Sequence, residues 1–156
     1  MSHHTYSAEY VAAVRKPDAR EFLLDVGLPS DHVLFTAPPK SSTSPEEVDG
    51  RRVLPIGTGD PETDDAYVVD TDTGEVLYLN RIDMSLSHVS ASPRQFDDLL
   101  RVFESETTAV ADDPEDVADR IRLQIENIDP TALDEDPGFW GDVLFDVANG
   151  DYTDDD

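Results

Sequence analysis

The residues of this chain with chemistry to offer are mostly carboxylates: 36 Asp and Glu stand against 11 Lys and Arg in 156 residues, a formal net charge of −25 at pH 7. In so acidic a chain some carboxylates must lie close together by chance. A pair is therefore weak evidence of acid–base catalysis, which also needs burial or a close like charge. Asp70, Asp72, Gly74 and Glu75 alternate acid before glycine as calcium loops do, yet such a loop needs glycine sixth and glutamate twelfth. Here the glycine is fifth and the twelfth residue is Arg81. The segment reads as a hairpin turn, where Asp and Gly tolerate unusual backbone angles. His32 and His88 have no Cys or His neighbour at ligand spacing, and His3-His4 at a frayed end is too small a set for tight metal binding. Ser90, Ser92 and Ser105 lack the glycines of a nucleophile elbow. Gly57-Thr58-Gly59 lacks the third glycine, helix and lysine of a phosphate cradle and reads as a turn. With no cysteine, disulfides, thiolate metal sites and cysteine nucleophiles are excluded. The residues assign no catalytic group, no metal site and no cofactor.

What remains is binding. A field this negative repels nucleic acid and anionic membrane surfaces and attracts basic proteins, whose association it accelerates. It also keeps a protein soluble and suits a high-salt cytoplasm, and composition alone leaves both readings open. Two acidic clusters outside any apolar stripe are the candidate partner-binding residues: Asp60, Glu62, Asp64 and Asp65 in a loop, and Asp112, Asp113, Glu115 and Asp116 around a helix start. Part of the second cluster serves the helix dipole. Trp140, beside Phe139, suits an interface, but its place on a stripe with Val143, Leu144 and Val147 predicts core packing. The N-terminal stretch has no cationic segment followed by an apolar one, and no run approaches a membrane span, so a cytoplasmic location is expected.

The elements that position these residues follow from periodicity and punctuation. A chain of this length fits one domain that buries about two thirds of its unfolded surface. Residues 1–16 read as an N-terminal segment with a short helix over Ala8 to Val14, 17–150 as the domain, and 151–156 as an acidic tail. Lys16-Pro17-Asp18 supplies a cap for a helix over Ala19 to Asp25, which stops at Gly27 with Pro29 beyond. His32 to Phe35 reads as a strand and 37–52 as a long loop. Val53 to Ile56, Ala66 to Asp70, Glu75 to Asn80 and Leu86 to Ser90 read as strands, the middle two joined as a hairpin by residues 71–74. Ser92-Pro93 with Gln95 is a capping box opening a helix with Phe96, Leu99, Leu100 and Phe103 on one face. Asp113-Pro114 opens another, carrying Val117, Ile121, Ile125 and Ile128 and ending at Asp129-Pro130. Asp136-Pro137 opens the last. Strands followed by helices predict an α+β fold, a twisted and mainly antiparallel sheet flanked by helices.

The order of blocks is similar to that of a known family. REFLLDVGLP at 20–29, VLPIG at 53–57, YVVDTDTGEV at 67–76, HVSASPRQFDDLLRVF at 88–103, IDPTAL at 128–133 and GFWGDVLFDVANGDY at 138–152 together resemble the fourth branch of the SUKH superfamily of immunity proteins, with its Smi/Knr-like fold. The resemblance implies the same α+β architecture and a protein that protects a cell by binding a toxin, with no catalytic residues to carry over. Many toxins in such systems act on nucleic acid and have basic clefts. The expected partner is thus a basic toxin domain, not nucleic acid or membrane, with the oligomeric state left open. An adaptor or regulatory domain of the same fold is the alternative, and a carboxylate-dependent enzyme or metal-binding domain ranks behind it.

Overall fold

The computed structural model describes residues 2–38, 45–59, 62, 65–108, 113–134 and 138–150. In chain order it holds strand β1 (His3–His4), helices α1 (Ala8–Val11) and α2 (Pro17–Asp25), strands β2 (Leu28–Pro29), β3 (Glu46–Val48), β4 (Arg51–Gly57), β5 (Ala66–Asp70), β6 (Val76–Asn80) and β7 (Ser85–Ser90), helices α3 (Pro93–Thr107) and α4 (Pro114–Ile128), the 3-10 turn η1 (Pro130–Leu133), and helix α5 (Gly138–Ala148). This is the α+β fold that the order of strands and helices predicts.

Strands β3 to β7 form one antiparallel meander, each paired with the next, while β1 and β2 make a separate ribbon. Turn chemistry fixes the registers. Asp49 and Gly50 both take positive φ, 53° and 78°, and set Val48 opposite Arg51, as a two-residue hairpin turn requires. At the β5–β6 hairpin the Asp70 carboxylate accepts the N–H groups of Asp72 and Thr73 at 2.8 and 3.1 Å.

Alternation along the strands builds two cores, one on each face of the sheet. Leu54, Ile56, Tyr67, Val69, Val76 and Val89 join the apolar stripes of the helices, with Trp140 fully buried among them. The intervening Val48, Val53, Ala66, Val68, Leu77 and Leu79, with Leu86, form a smaller cluster on the other face. The sheet is strongly curled. Arg81, just past β6, reaches Glu46 of β3 with two hydrogen bonds of 3.0 and 2.8 Å. Two strands separate β3 from β6, so in a flat sheet they would lie about 14 Å apart; the curl and the ion pair close the smaller core together.

The helices are seated by caps that also reach across the fold. Ser92 accepts the Gln95 N–H at 3.2 Å and donates its hydroxyl to Gln95 Oε1 at 2.9 Å. The Gln95 amide then donates to the Ile128 carbonyl at the end of α4 (3.1 Å). Asp129, with no exposed surface, lies between α4 and η1. One carboxylate oxygen accepts the Ser90 hydroxyl at 2.9 Å and the Ala91 N–H at 2.8 Å; the other accepts the Thr131 N–H at 3.1 Å and the Thr131 hydroxyl. The Trp140 indole N–H donates to the Val89 carbonyl at 2.9 Å, so α5 is pinned to the same strand end.

Several sequence expectations are corrected. His32 to Phe35 is no strand: His32 and Phe35 exchange backbone hydrogen bonds of 2.9 and 3.1 Å in a turn. His32 Nδ1 also takes the Leu34 N–H (3.0 Å), a donor that a strand ladder would need. The other ring nitrogen donates to the Leu100 carbonyl at 2.9 Å, and burial lowers the His32 pKa from its ordinary 6.5. Residues 37–52 are not all loop, since β3 and the start of β4 fall among them. Gly57-Thr58-Gly59 is not a simple turn: Gly57 ends β4, and Thr58 exchanges hydrogen bonds of 2.9 and 3.0 Å with Thr36. A Cβ on Gly57 would lie 2.4 Å from the Phe35 ring, which explains the glycine. The cap of α2 is Lys16, without a side-chain bond, and Asp18 sits in the first turn. The first helix stops at Val11 rather than Val14. His3 and His4, expected to fray, form β1 over Gly27, where any Cβ would meet the His4 carbonyl at 1.9 Å. The expected opening Asp136-Pro137 of α5 and the tail at 151–156 lie outside the described residues.

Removing the Asp129 carboxylate takes the acceptor from four donors, the buried Ser90 hydroxyl and the partly buried Ala91 N–H, Thr131 N–H and Thr131 hydroxyl, so Asp129→Ala is expected to destabilise the protein by about 3 kcal/mol, read as a lower urea midpoint at unchanged m-value.

Candidate functional site

A band of polar side chains crosses the second face of the sheet beside the smaller core. Arg51 of β4 donates to Asp70 of β5 at 2.8 Å and also to Glu75, which precedes β6. Glu75 bonds His88 Nδ1 on β7, and His88 Nε2 lies 3.0 Å from the Thr131 hydroxyl of η1. Hydroxyl, imidazole and carboxylate stand in the order of a catalytic triad. The Thr131 hydroxyl also donates to Asp129, which competes with His88 for its single proton. The band ties β4, β5, β7 and η1 together through Glu75.

Its electrostatics follow from the pairing. Burial alone would raise the Asp70 pKa, but hydrogen bonds from Arg51 and from the N–H groups of Asp72 and Thr73 outweigh it and hold the carboxyl below its ordinary 3.8. The hydrogen bond from Arg81 likewise holds Glu46 below 4.5, against partial burial. Among the described residues no group of three or more His, Cys, Asp or Glu is arranged to hold a metal ion, and no helix is long and apolar enough to cross a membrane. The calcium-loop lookalike at Asp70 is a turn whose first carboxylate is already occupied by Arg51 and backbone donors.

Of the eight candidate partner-binding residues, Asp60, Asp64 and Asp112 lie outside the described residues. Glu62 is exposed. Asp65 is built into the fold: its carboxylate accepts the Tyr78 hydroxyl at 3.1 Å and the Arg81 N–H at 3.0 Å. That pair of bonds sets the end of the acidic loop against the turn between β6 and β7. Asp113 caps α4, accepting the Glu115 N–H at 2.9 Å, while Glu115 and Asp116 stand exposed in the first turn. The two clusters thus occupy different elements, one on a sheet hairpin and one at a helix start.

Sequence reasoning passed over Ile82 and Met84, which project from the β6–β7 turn with 92% and 44% of their surface exposed. The available signal was two large apolar residues flanking Asp83 between the runs read as strands, Glu75 to Asn80 and Leu86 to Ser90. Trp140, by contrast, packs in the core as its stripe predicts.

With this geometry in place, comparison with known families gives one result: the family model of the SUKH-4 immunity protein matches residues 2–146. The chain belongs to the SUKH-4 immunity protein family. No curated protein and no solved structure matches the chain significantly. The matched region contains every described strand and all helices but the last residues of α5.

Because Asp70 titrates below its unfolded value, its contribution to stability is present above pH 3.8 and is lost as pH falls through the lower folded value. Asp70→Asn is expected to be less stable than wild type at pH 7, with the gap closing as urea midpoints are followed below pH 3.8.

Proposed function

We propose that the chain neutralises a cognate toxin by binding it, without catalysis, and that the toxin presents a basic surface. The supporting observation is how the charges are spent. Arg51, Arg81, Arg101 and Arg120 are each held by carboxylates within the fold. Acidic side chains such as Asp18, Glu21 and Asp25 of α2 and Glu115, Asp116 and Asp119 of α4 face solvent. Four of the 11 Lys and Arg are thus spent on pairs within the fold, and a chain of net charge −25 keeps a strongly acidic surface. A body so charged draws a cationic partner from a distance and rejects nucleic acid and anionic lipid.

A toxin acting on nucleic acid fits this partner, because its substrate cleft must be cationic. The acidic chain would occupy that cleft in place of phosphates, or lie beside it. Charge supplies rate and bias, while specificity resides in a smaller patch with apolar anchors.

The test is the association rate with the toxin domain encoded beside this chain's gene. The Debye length shrinks from about 30 Å at 0.01 M salt to about 8 Å at 0.15 M. The rate constant is expected to fall about tenfold or more over that range. A complex that forms equally fast at both salt levels contradicts the electrostatic part of the proposal.

A further inference from the structure

We infer that the β6–β7 hairpin tip, Ile82 and Met84 within an acidic surround, is the docking surface for a protein partner that offers an apolar pocket rimmed by Lys or Arg. This rests on the reading of the chain as a toxin-binding immunity protein and assigns that reading a surface.

The tip combines rigid backbone with exposed apolar side chains. Asn80 Oδ1 accepts the Ile82 N–H at 2.9 Å, Asp83 Oδ1 accepts the Ser85 N–H at 3.1 Å, and Asp65 accepts the Arg81 N–H at 3.0 Å. The Arg81 guanidinium is anchored by Glu46. Three side-chain caps and an ion pair thus hold a turn whose most apolar residue, Ile82, is 92% exposed. Met84 sits at φ 53°, a left-handed conformation that L side chains rarely adopt and that Gly or Asn would fill more easily. Met84 closes the turn between β6 and β7 in this conformation and is left 44% exposed.

Charge identifies the occupant. At the tip stand Asp83, in the turn itself, and Asp65 and Glu46, which hold the Arg81 N–H and guanidinium. Apolar anchors beside three carboxylates and a single paired guanidinium complement a pocket with a cationic rim, the arrangement in which a central side chain carries the affinity and the neighbouring charges exclude wrong partners. Because the tip is preorganised, little conformational freedom is lost there on binding. Leu123 and Phe145, exposed at 61% and 68% on α4 and α5, provide comparison sites elsewhere.

The experiment measures affinity of wild type, Ile82→Ser, Met84→Gly and Leu123→Ser for the purified toxin domain encoded beside this chain's gene, with thermal midpoints recorded for each. Met84→Gly relieves the backbone and is expected to melt no lower than wild type, so a loss of binding in it cannot come from misfolding. Ile82→Ser and Met84→Gly are expected to weaken binding at least about tenfold, mainly through faster dissociation, with Leu123→Ser unchanged. If wild type binds and both tip variants bind equally well, the docking surface is elsewhere and this inference is overturned while the immunity reading stands. If wild type itself does not bind, the underlying reading of the partner fails and the docking inference with it.

Discussion

The carboxylate of Asp129 is the constraint on which the rest of the architecture depends. It is fully buried, and such a charge is tolerable only when its oxygens are filled by donors. The donors come from the end of β7 and from η1, so the carboxylate cannot be satisfied until sheet and helices have met. Neighbouring bonds reinforce the same strand: Glu75 and Thr131 hold His88, and Trp140 holds the Val89 carbonyl. β7 is therefore the place where hairpin, helical pair and final helix are joined.

This junction also explains why separate sequence blocks carry a family likeness. HVSASP contributes Ser90 and Ala91, IDPTAL contributes Asp129 and Thr131, YVVDTDTGEV contributes Asp70 and Glu75, and GFWGD contributes Trp140. Each block alone is ordinary, but together they supply the partners of one network. Their order along the chain reflects a requirement that they complete one another in space.

Legibility from sequence tracked how local the determining interaction is. The capping box at Ser92 and Gln95, the Asp113 cap and the turn at Asp70 to Gly74 are built from residues within a few positions of one another, and the structure has them. Asp49-Gly50 was equally local and gave a hairpin, but the polar stretch around it masked the signal. His32 to Phe35 misled because an apolar run carries no trace of the imidazole that captures the Leu34 N–H, nor of Leu100, the distant partner that orients it. The acidic clusters could be named but not ranked. Only the fold shows that Asp65 spends its carboxylate on Tyr78 and Arg81 and that Asp113 spends its own on a cap. Two apolar residues flank Asp83 in the sequence, but their exposure is a property of the folded surface that spacing does not give.

In the proposed reading acidity and apolar anchors divide the work of recognition, the first acting at a distance and the second in contact. A protein that works this way must remain in the complex to have its effect. The direct test is to titrate the toxin's activity with this chain at concentrations far above the dissociation constant. Activity is predicted to fall linearly and to reach its floor near equimolar chain, with both proteins recovered covalently unchanged. Complete inactivation by a small fraction of an equivalent, or full activity persisting in excess chain, contradicts neutralisation by stoichiometric binding.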